Sequence, residues 1–472
     1  MDLSSFNARS MASRMTSVAS EKPWLSLSSR ACCSDLLSAL QPNHMAPTAA
    51  HVDATGCVRG GRFADVGPLA KVMARAPALA PLTLPLTMLM PGFVDAHHHL
   101  TQSFGKALAF GEPSEIFRRI WVPLEGSLDP HSLYLSAKLA SLEALRGGYT
   151  TVCDAGARSS HGLEAMAAAT REAGIRCVPS FVCNDDGTAH GATLTAAERF
   201  LAQASPGWHP SLAISIPEAA TDAMLGAAAA LAAEAGTVLQ VHVNEHLASV
   251  ERSLVARGLR PLQHLQASGA LGPQSLLAHC TMLTPAEMLL LRDHGAAVSI
   301  NPVASPWKGN AVAPTELLAA LGVRLGLGTD GTRSDAFRMM DAAESNQRLA
   351  FGMASGDAVC GGGSLWLTMA TAGGAYAAGL GRVTGRVETG LSADFLLLDL
   401  DVPELTPSWD LGWELVRLAS RDQVISVHVE GRMRLWQGWP VDWDARSLMA
   451  EVRTVARQSV ARAPIHKVHQ RQ

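Results

Sequence analysis

The sequence predicts an α/β fold: a (β/α)8 TIM barrel joined to a small β-sandwich-like domain formed from both chain ends. Three observations carry that expectation. Between residues 91 and 384, eight short apolar runs alternate with longer Ala- and Leu-rich stretches. Regular alternation of strand and helix calls for a parallel sheet, and eight such units close one into a barrel. The flanks, residues 48–90 and 385–440, instead carry short strand-like pieces separated by turns. Finally, 472 residues exceed the roughly 250 of a typical barrel and leave room for a second unit.

The eight runs expected as strands are 93–97, 150–154, 176–182, 212–216, 238–243, 275–279, 297–301 and 323–328. They are short and rich in β-branched or small residues. Stretches such as 132–146, 219–235 and 285–294 place apolar residues at three-to-four spacing, which is helical. Residues 424–430 alternate as a sheet with one covered face does. Residues 1–47 are rich in Ser, carry Arg9, Arg14 and Arg30, and have few acids. A transit peptide, a disordered leader and a misplaced start all share that composition, so this segment is expected outside the fold. A helical tail is expected over 441–472.

Composition excludes several function classes. With 48% hydrophobic and 17% charged residues the chain reads as globular. A net charge of −4 and no run of five basic residues argue against nucleic acid. The 3 Tyr and 11 Phe are too few for a base-stacking platform. No uninterrupted apolar stretch reaches 18 residues, so no membrane span is expected. Eight cysteines without a Cys-x-x-Cys pair, in a chain far larger than disulfide scaffolds, suit a reducing cytoplasm.

The run Val94-Asp95-Ala96-His97-His98-His99 ends the first expected strand. Side chains alternate along a strand, so His97 and His99 face one way and His98 the other. At the carboxyl end of a barrel strand that pair points into the mouth and makes half of a metal site. A bare His triplet is also compatible with a solvated turn, but the apolar strand before it favours the site.

Pro91-Gly92-Phe93-Val94-Asp95-Ala96-His97-His98-His99-Leu100 resembles the opening metal motif of the amidohydrolase superfamily. The resemblance spans roughly residues 50–435 and is nearest in style to the cytosine/guanine deaminase and triazine hydrolase branch. Val241-His242-Val243-Asn244-Glu245 resembles that branch's fifth strand, Leu277-Ala278-His279-Cys280 its sixth, and Leu327-Gly328-Thr329-Asp330-Gly331 its eighth. The implied metal ligands are His97, His99, His242 and Asp330. Three imidazoles and a carboxylate suit one divalent transition metal, zinc ahead of iron, with a position open for water. The resemblance makes Glu245, His279 and Asp330 catalytic. Glu245 would shuttle a proton from the activated water to a ring nitrogen. His279 would hydrogen-bond the attacking oxygen, and Asp330 would pass a proton to the departing amine. His242 and Glu245 are an odd number of residues apart, so both face the mouth only if the strand has ended by Asn244.

Gln102 stands where similar purine, pterin and triazine aminohydrolases contact the heterocycle. Trp121 and Trp307 are candidates to stack on a flat ring, with packing as the alternative role, while Asn301 and His279 complete the expected substrate contacts. After Asn301-Pro302 the family's common Ser-Asn is replaced by Val303-Ala304-Ser305-Pro306-Trp307, which puts nucleoside specificity in doubt. Gly326-Leu327-Gly328-Thr329-Asp330-Gly331 fits a dinucleotide fingerprint, but seven strands precede it and no acid closes a short strand after it. The fourth strand, 212–216, lacks a Lys that could be carboxylated to bridge two ions, which favours a single metal.

The expectation is therefore a mononuclear metal-dependent aminohydrolase that releases ammonia hydrolytically from a small amino-substituted N-heterocycle of purine, pyrimidine, pterin or triazine type. The same chemistry could instead expel chloride or an alkylamine from a triazine, or open a cyclic amide. A metal-binding protein without catalysis is the reading from another class, and the presence of Glu245 and Asp330 argues against it. Similar enzymes are commonly dimers, so a homodimer is expected.

Overall fold

The computed structural model describes residues 25–32, 54–112, 116–157, 163–353, 356 and 359–468. Four strands open the described chain: β1 (Leu25–Cys32), β2 (Ala54–Arg59), β3 (Arg62–Pro68) and β4 (Leu82–Pro91). Eight follow: β5 (Phe93–His98), β6 (Tyr149–Asp154), β7 (Arg176–Val182), β8 (Ser211–Ile214), β9 (Leu239–Val243), β10 (Ser275–His279), β11 (Ala297–Ile300) and β12 (Arg324–Leu327). The last four are β13 (Phe395–Asp399), β14 (Val424–Val429), β15 (Arg432–Trp436) and β16 (Trp439–Pro440).

Strands β5 to β12 form one sheet in chain order, and every neighbouring pair is parallel. This is the expected eight-stranded barrel. All residues of β6 and of β10 are buried, because a parallel strand is covered on one face by helices and on the other by the barrel interior. The first and last strands meet through Asp95, whose Oδ1 accepts from Thr329 N at 2.9 Å and whose Oδ2 accepts from Thr329 Oγ1 at 2.6 Å. Asp330 N donates to His97 O at 2.9 Å in the same seam. The glycines of the apparent dinucleotide fingerprint serve this closure. A Cβ on Gly328 would lie 2.3 Å from Asn301 Oδ1 and 2.8 Å from His97 Cβ.

Local sequence explains the helix after β5. Pro130–Arg146 starts at Asp129, whose carboxylate accepts from Ser132 N at 2.8 Å, and Pro130 occupies the first helical position. It stops at Gly147, where a Cβ would meet the Ser334 carbonyl oxygen at 2.1 Å.

The second sheet runs β16-β15-β14-β13-β4-β1-β2-β3, so both chain ends contribute to it. Its β2–β3 edge folds back onto the segment that leads into β13. Phe63 N donates to Leu391 O at 2.9 Å and Ala393 N to Gly61 O at 2.9 Å. Phe63 and Phe395 then pack with ring centroids 5.9 Å apart in a core shared with Val58, Leu89 and Leu397. Strand β1 corrects the expectation that residues 1–47 lie outside the fold, because it pairs antiparallel with β2 and parallel with β4. Its Leu-Ser-Leu-Ser alternation has a strand's period of two, a signal that the Ser-rich composition masked. The rest of that segment, 1–24 and 33–47, lies outside the described residues.

The two sheets are pinned together. Strand β4 passes through Gly92 directly into β5, and Arg176 of β7 pairs with the buried Asp394 carboxylate at 3.0 Å. Helix Ala445–Arg462 lays Leu448 and Val452 against Leu135 of the barrel. No described helix is long and apolar enough to cross a membrane.

Candidate metal centre

Strand alternation puts the His97 and His99 rings on the same side of β5, with centroids 5.0 Å apart. His242 of β9 lies 4.7 Å from the His97 ring and stacks parallel to His99 at 5.4 Å. Asp330, just past β12, brings Oδ1 to 3.4 Å from His97 Nε2 and 3.2 Å from His99 Nε2. One ligand atom from each of the four residues falls within 4.8 Å of all the others. His98 points away as alternation requires, with Nδ1 2.9 Å from Asp95 Oδ2 and 2.8 Å from Thr329 Oγ1.

This cluster fits a divalent metal ion. His97 Nε2 is buried without a hydrogen-bond partner, and His99 Nε2 sits 3.3 Å from His242 Nε2. His242 Nδ1 lies 2.8 Å from the Ser215 carbonyl, an acceptor only, so Nδ1 carries the proton and Nε2 presents a lone pair. Burial pushes the His97 imidazole below its ordinary pKa, and burial with the neighbouring His97 and His99 pushes His242 well below it. Neutral rings are what a metal binds.

Backbone conformation brings the other groups in. Asn244, His279 and Asp330 all have positive φ, at 51°, 73° and 55°. Non-glycine residues held there cost about 1–3 kcal/mol each and cluster at functional sites. Asn244 resolves the parity question: β9 ends at Val243, and the left-handed residue turns Glu245 back toward the ligands. Oε1 of Glu245 then lies 2.9 Å from Lys308 Nζ, 3.1 Å from His246 Nε2 and 3.5 Å from His279 Nε2. Burial alone would raise the Glu245 carboxyl, but His279, Lys308 and His246 hold it well below the usual carboxylate range. Lys308 also pairs with Oδ2 of Asp330.

Burial drives the His279 imidazole down to about 3, so the ring is neutral. Asn301 Oδ1 accepts from Ser299 Oγ at 3.1 Å, which directs its amide nitrogen to His279 Nδ1 at 3.0 Å. The ring proton therefore sits on Nε2, facing Glu245.

An inner cavity of about 100 Å³ opens over the cluster, bounded by His99, Gln102, Trp121, Glu218, Glu245 and Lys308 among others. Gln102 is fixed by donating to the buried Glu125 carboxylate at 2.9 Å. Three expected substrate contacts, His279, Asn301 and Trp307, do not line this cavity. Asn301 lies behind His279 and is not on the cavity wall. Trp307 packs edge-on against Phe110, ring centroids 5.2 Å apart, and is also off the wall. Its short helix, Ala304–Trp307, turns Lys308 rather than the indole toward the acids. Lys308, Glu218 and Ser215 were not singled out in the sequence. The departure after Asn301-Pro302 marked the right loop, yet an isolated Lys one residue beyond it carries no pattern of its own.

Residues 88–434 match the amidohydrolase family. The chain belongs to that family. This amidohydrolase is 29% identical over 411 residues to a 5-methylthioadenosine/S-adenosylhomocysteine deaminase of Syntrophobacter fumaroxidans, covering 85% of this chain and 92% of the relative. Among solved structures, it superposes on a zinc-bound adenosine deaminase from Xanthomonas campestris with a TM-score of 0.81, at 26% identity, covering 93% of this chain and 98% of the other. The zinc complex of atrazine chlorohydrolase from Arthrobacter aurescens shares the fold at a TM-score of 0.78 and 20% identity, covering 91% of this chain and 100% of that one.

Proposed function

We propose that this amidohydrolase hydrolytically deaminates an amino-substituted N-heterocycle and releases ammonia. The observation that carries the reading is the four-residue cluster with an ionised Glu245 held beside it. The deaminase relatives and the adenosine deaminase structure support the reaction class. His97, His99, His242 and Asp330 would hold one ion, and their nitrogen-rich set favours zinc. When bound, that ion supplies a Lewis acid that lowers the pKa of water towards about 7.

The chain's own groups account for the proton traffic. Glu245 is charged at neutral pH and accepts a proton from water as its oxygen adds to the carbon bearing the amine. The same carboxyl then delivers the proton to a ring nitrogen. The Nε2–H of His279 donates to the added oxygen. Asp330 Oδ2 takes the remaining proton of the added hydroxyl as the carbonyl forms and passes it to the departing amine, with Lys308 beside it neutralising charge. Gln102 and Trp121 orient the ring. The sum is one water consumed, one C–N bond broken and one ammonia released. A homodimer in a reducing cytoplasm goes with this reading, and six buried free cysteines, Cys57, Cys153, Cys177, Cys183, Cys280 and Cys360, support that compartment.

The test is ammonia release by metal-loaded protein from a panel of purines, pyrimidines, pterins and triazines. Ammonia from none of them, with chloride released from a chlorotriazine, would overturn the deaminase reading.

A further inference from the structure

Among the described residues, Glu218 is the one acid on the inner cavity wall whose two carboxylate oxygens are both enclosed and without a hydrogen-bond partner. Glu245 and Asp330, the other acids there, are both paired to Lys308. Glu218 also lines an outer chamber of about 960 Å³, which shares Phe117, Ser215 and Ala248 with the inner cavity.

Its position is rigid. Glu218 sits on the single turn Pro217–Ala219, three residues past Ser215, the residue whose carbonyl anchors His242. Asn184 clamps Ser215 from two sides, accepting from its backbone N at 2.9 Å and donating to its Oγ at 3.0 Å. Ala219 closes the turn by donating to Ile216 O at 2.9 Å and accepting from Asp185 N at 3.0 Å. Arg118 and Arg252 line the same cavity, yet neither carboxylate oxygen of Glu218 has a hydrogen-bond partner, and an enclosed carboxylate left unbonded is costly in the ligand-free protein. The missing donors are then those of a ligand.

We infer that Glu218 reads the substrate, accepting hydrogen bonds from N–H donors on the ring edge away from the reacting carbon. The inference rests on the deaminase reading for the kind of ligand and narrows it to heterocycles with a second amino group. Apart from its reacting amine and the N9–H that it shares with 2,6-diaminopurine, adenine offers only acceptors, whereas the diamino ring adds an exocyclic pair of donors of the kind Glu218 lacks. A ribose diol is the other source of paired donors in a nucleoside-sized ligand.

The test uses metal-loaded Glu245→Gln protein, so that ligands survive the titration. Calorimetry compares adenine with 2,6-diaminopurine, and adenosine with 2′,3′-dideoxyadenosine. The diamino ring should bind roughly 10- to 100-fold more tightly than adenine, as a charge-assisted hydrogen bond allows. Adding Glu218→Gln should erase most of that preference while raising the Tm of the ligand-free protein, because an unpaired carboxylate is removed. Three results overturn the inference: no binding or no preference for the diamino ring, a Glu218-dependent preference for the diol instead, or a lower ligand-free Tm in Glu218→Gln. The two readings fail separately. Discrimination without ammonia release from active enzyme sinks the deaminase reading alone, and ammonia release without discrimination sinks this inference alone.

Discussion

Lys308 Nζ lies 2.9 Å from Oε1 of Glu245, so a single buried cation orients the expected proton carrier. The same ammonium pairs with Asp330, which ties the proton carrier to the metal carboxylate. Lys308→Met should lower kcat by roughly 10- to 100-fold, within the range of positioned acid–base catalysis. Metal content should stay near that of the unaltered protein. Steady-state ammonia release and metal analysis check both, and unchanged kcat would remove Lys308 from the mechanism.

Glu245 itself is held outside the ligand set, 3.5 Å from His279 and 2.9 Å from Lys308. Glu245→Gln should therefore retain the ion and lose about 10²- to 10⁴-fold in turnover. If the variant kept its activity, the proton shuttle would lie elsewhere.

The four ligand atoms cluster tightly enough for one ion. Purified protein should hold close to one transition metal per chain, and His97→Ala should lose it. Because an ion bound only by the folded state adds stability, chelation should lower Tm. Elemental analysis finding two tightly held ions per chain would contradict the mononuclear site.

Asn184 holds the Ser215 segment whose carbonyl orients His242. Partners of ligating histidines typically carry about 10- to 100-fold in metal affinity. Asn184→Ala should fall near the lower end, roughly 10-fold, since it acts one step further out. A competition titration against a chelator reads this directly, and equal affinity would show that the clamp is not needed.

His428 gives a pH prediction away from the metal. It stacks on Phe395 with centroids 4.2 Å apart, and burial pushes its pKa down to about 3. Its unfolded value is about 6.5, so protonation favours the unfolded chain. The stability tied to the neutral ring is present above about pH 6.5 and is lost as pH falls towards about 3. His428→Gln should shrink the drop in Tm between about pH 7 and pH 4.5. Parallel curves for the two proteins would refute this.

Much of this was legible from residues alone. Strand β7 and strand β10 have the boundaries expected for 176–182 and 275–279, and the other barrel strands differ by one or two residues at an end. Alternation correctly separated His97 and His99 from His98. Composition misled at Leu25–Cys32, where Ser content outweighed a strand-like alternation.

The sequence by itself determined the barrel and the residues of the four-ligand cluster. Those groups sit at strand ends, where a period-two pattern and a short motif record both the element and the direction of the side chain. Only the tertiary structure decided what surrounds them. Lys308 meets Glu245 across 63 positions, and Asn184 reaches Ser215 across 31. Contacts of that kind form when separate loops converge on one end of the barrel, and they leave no periodicity in any single segment. The enclosed Glu218 belongs with them, because its lack of a partner is visible only once the walls around it are in place.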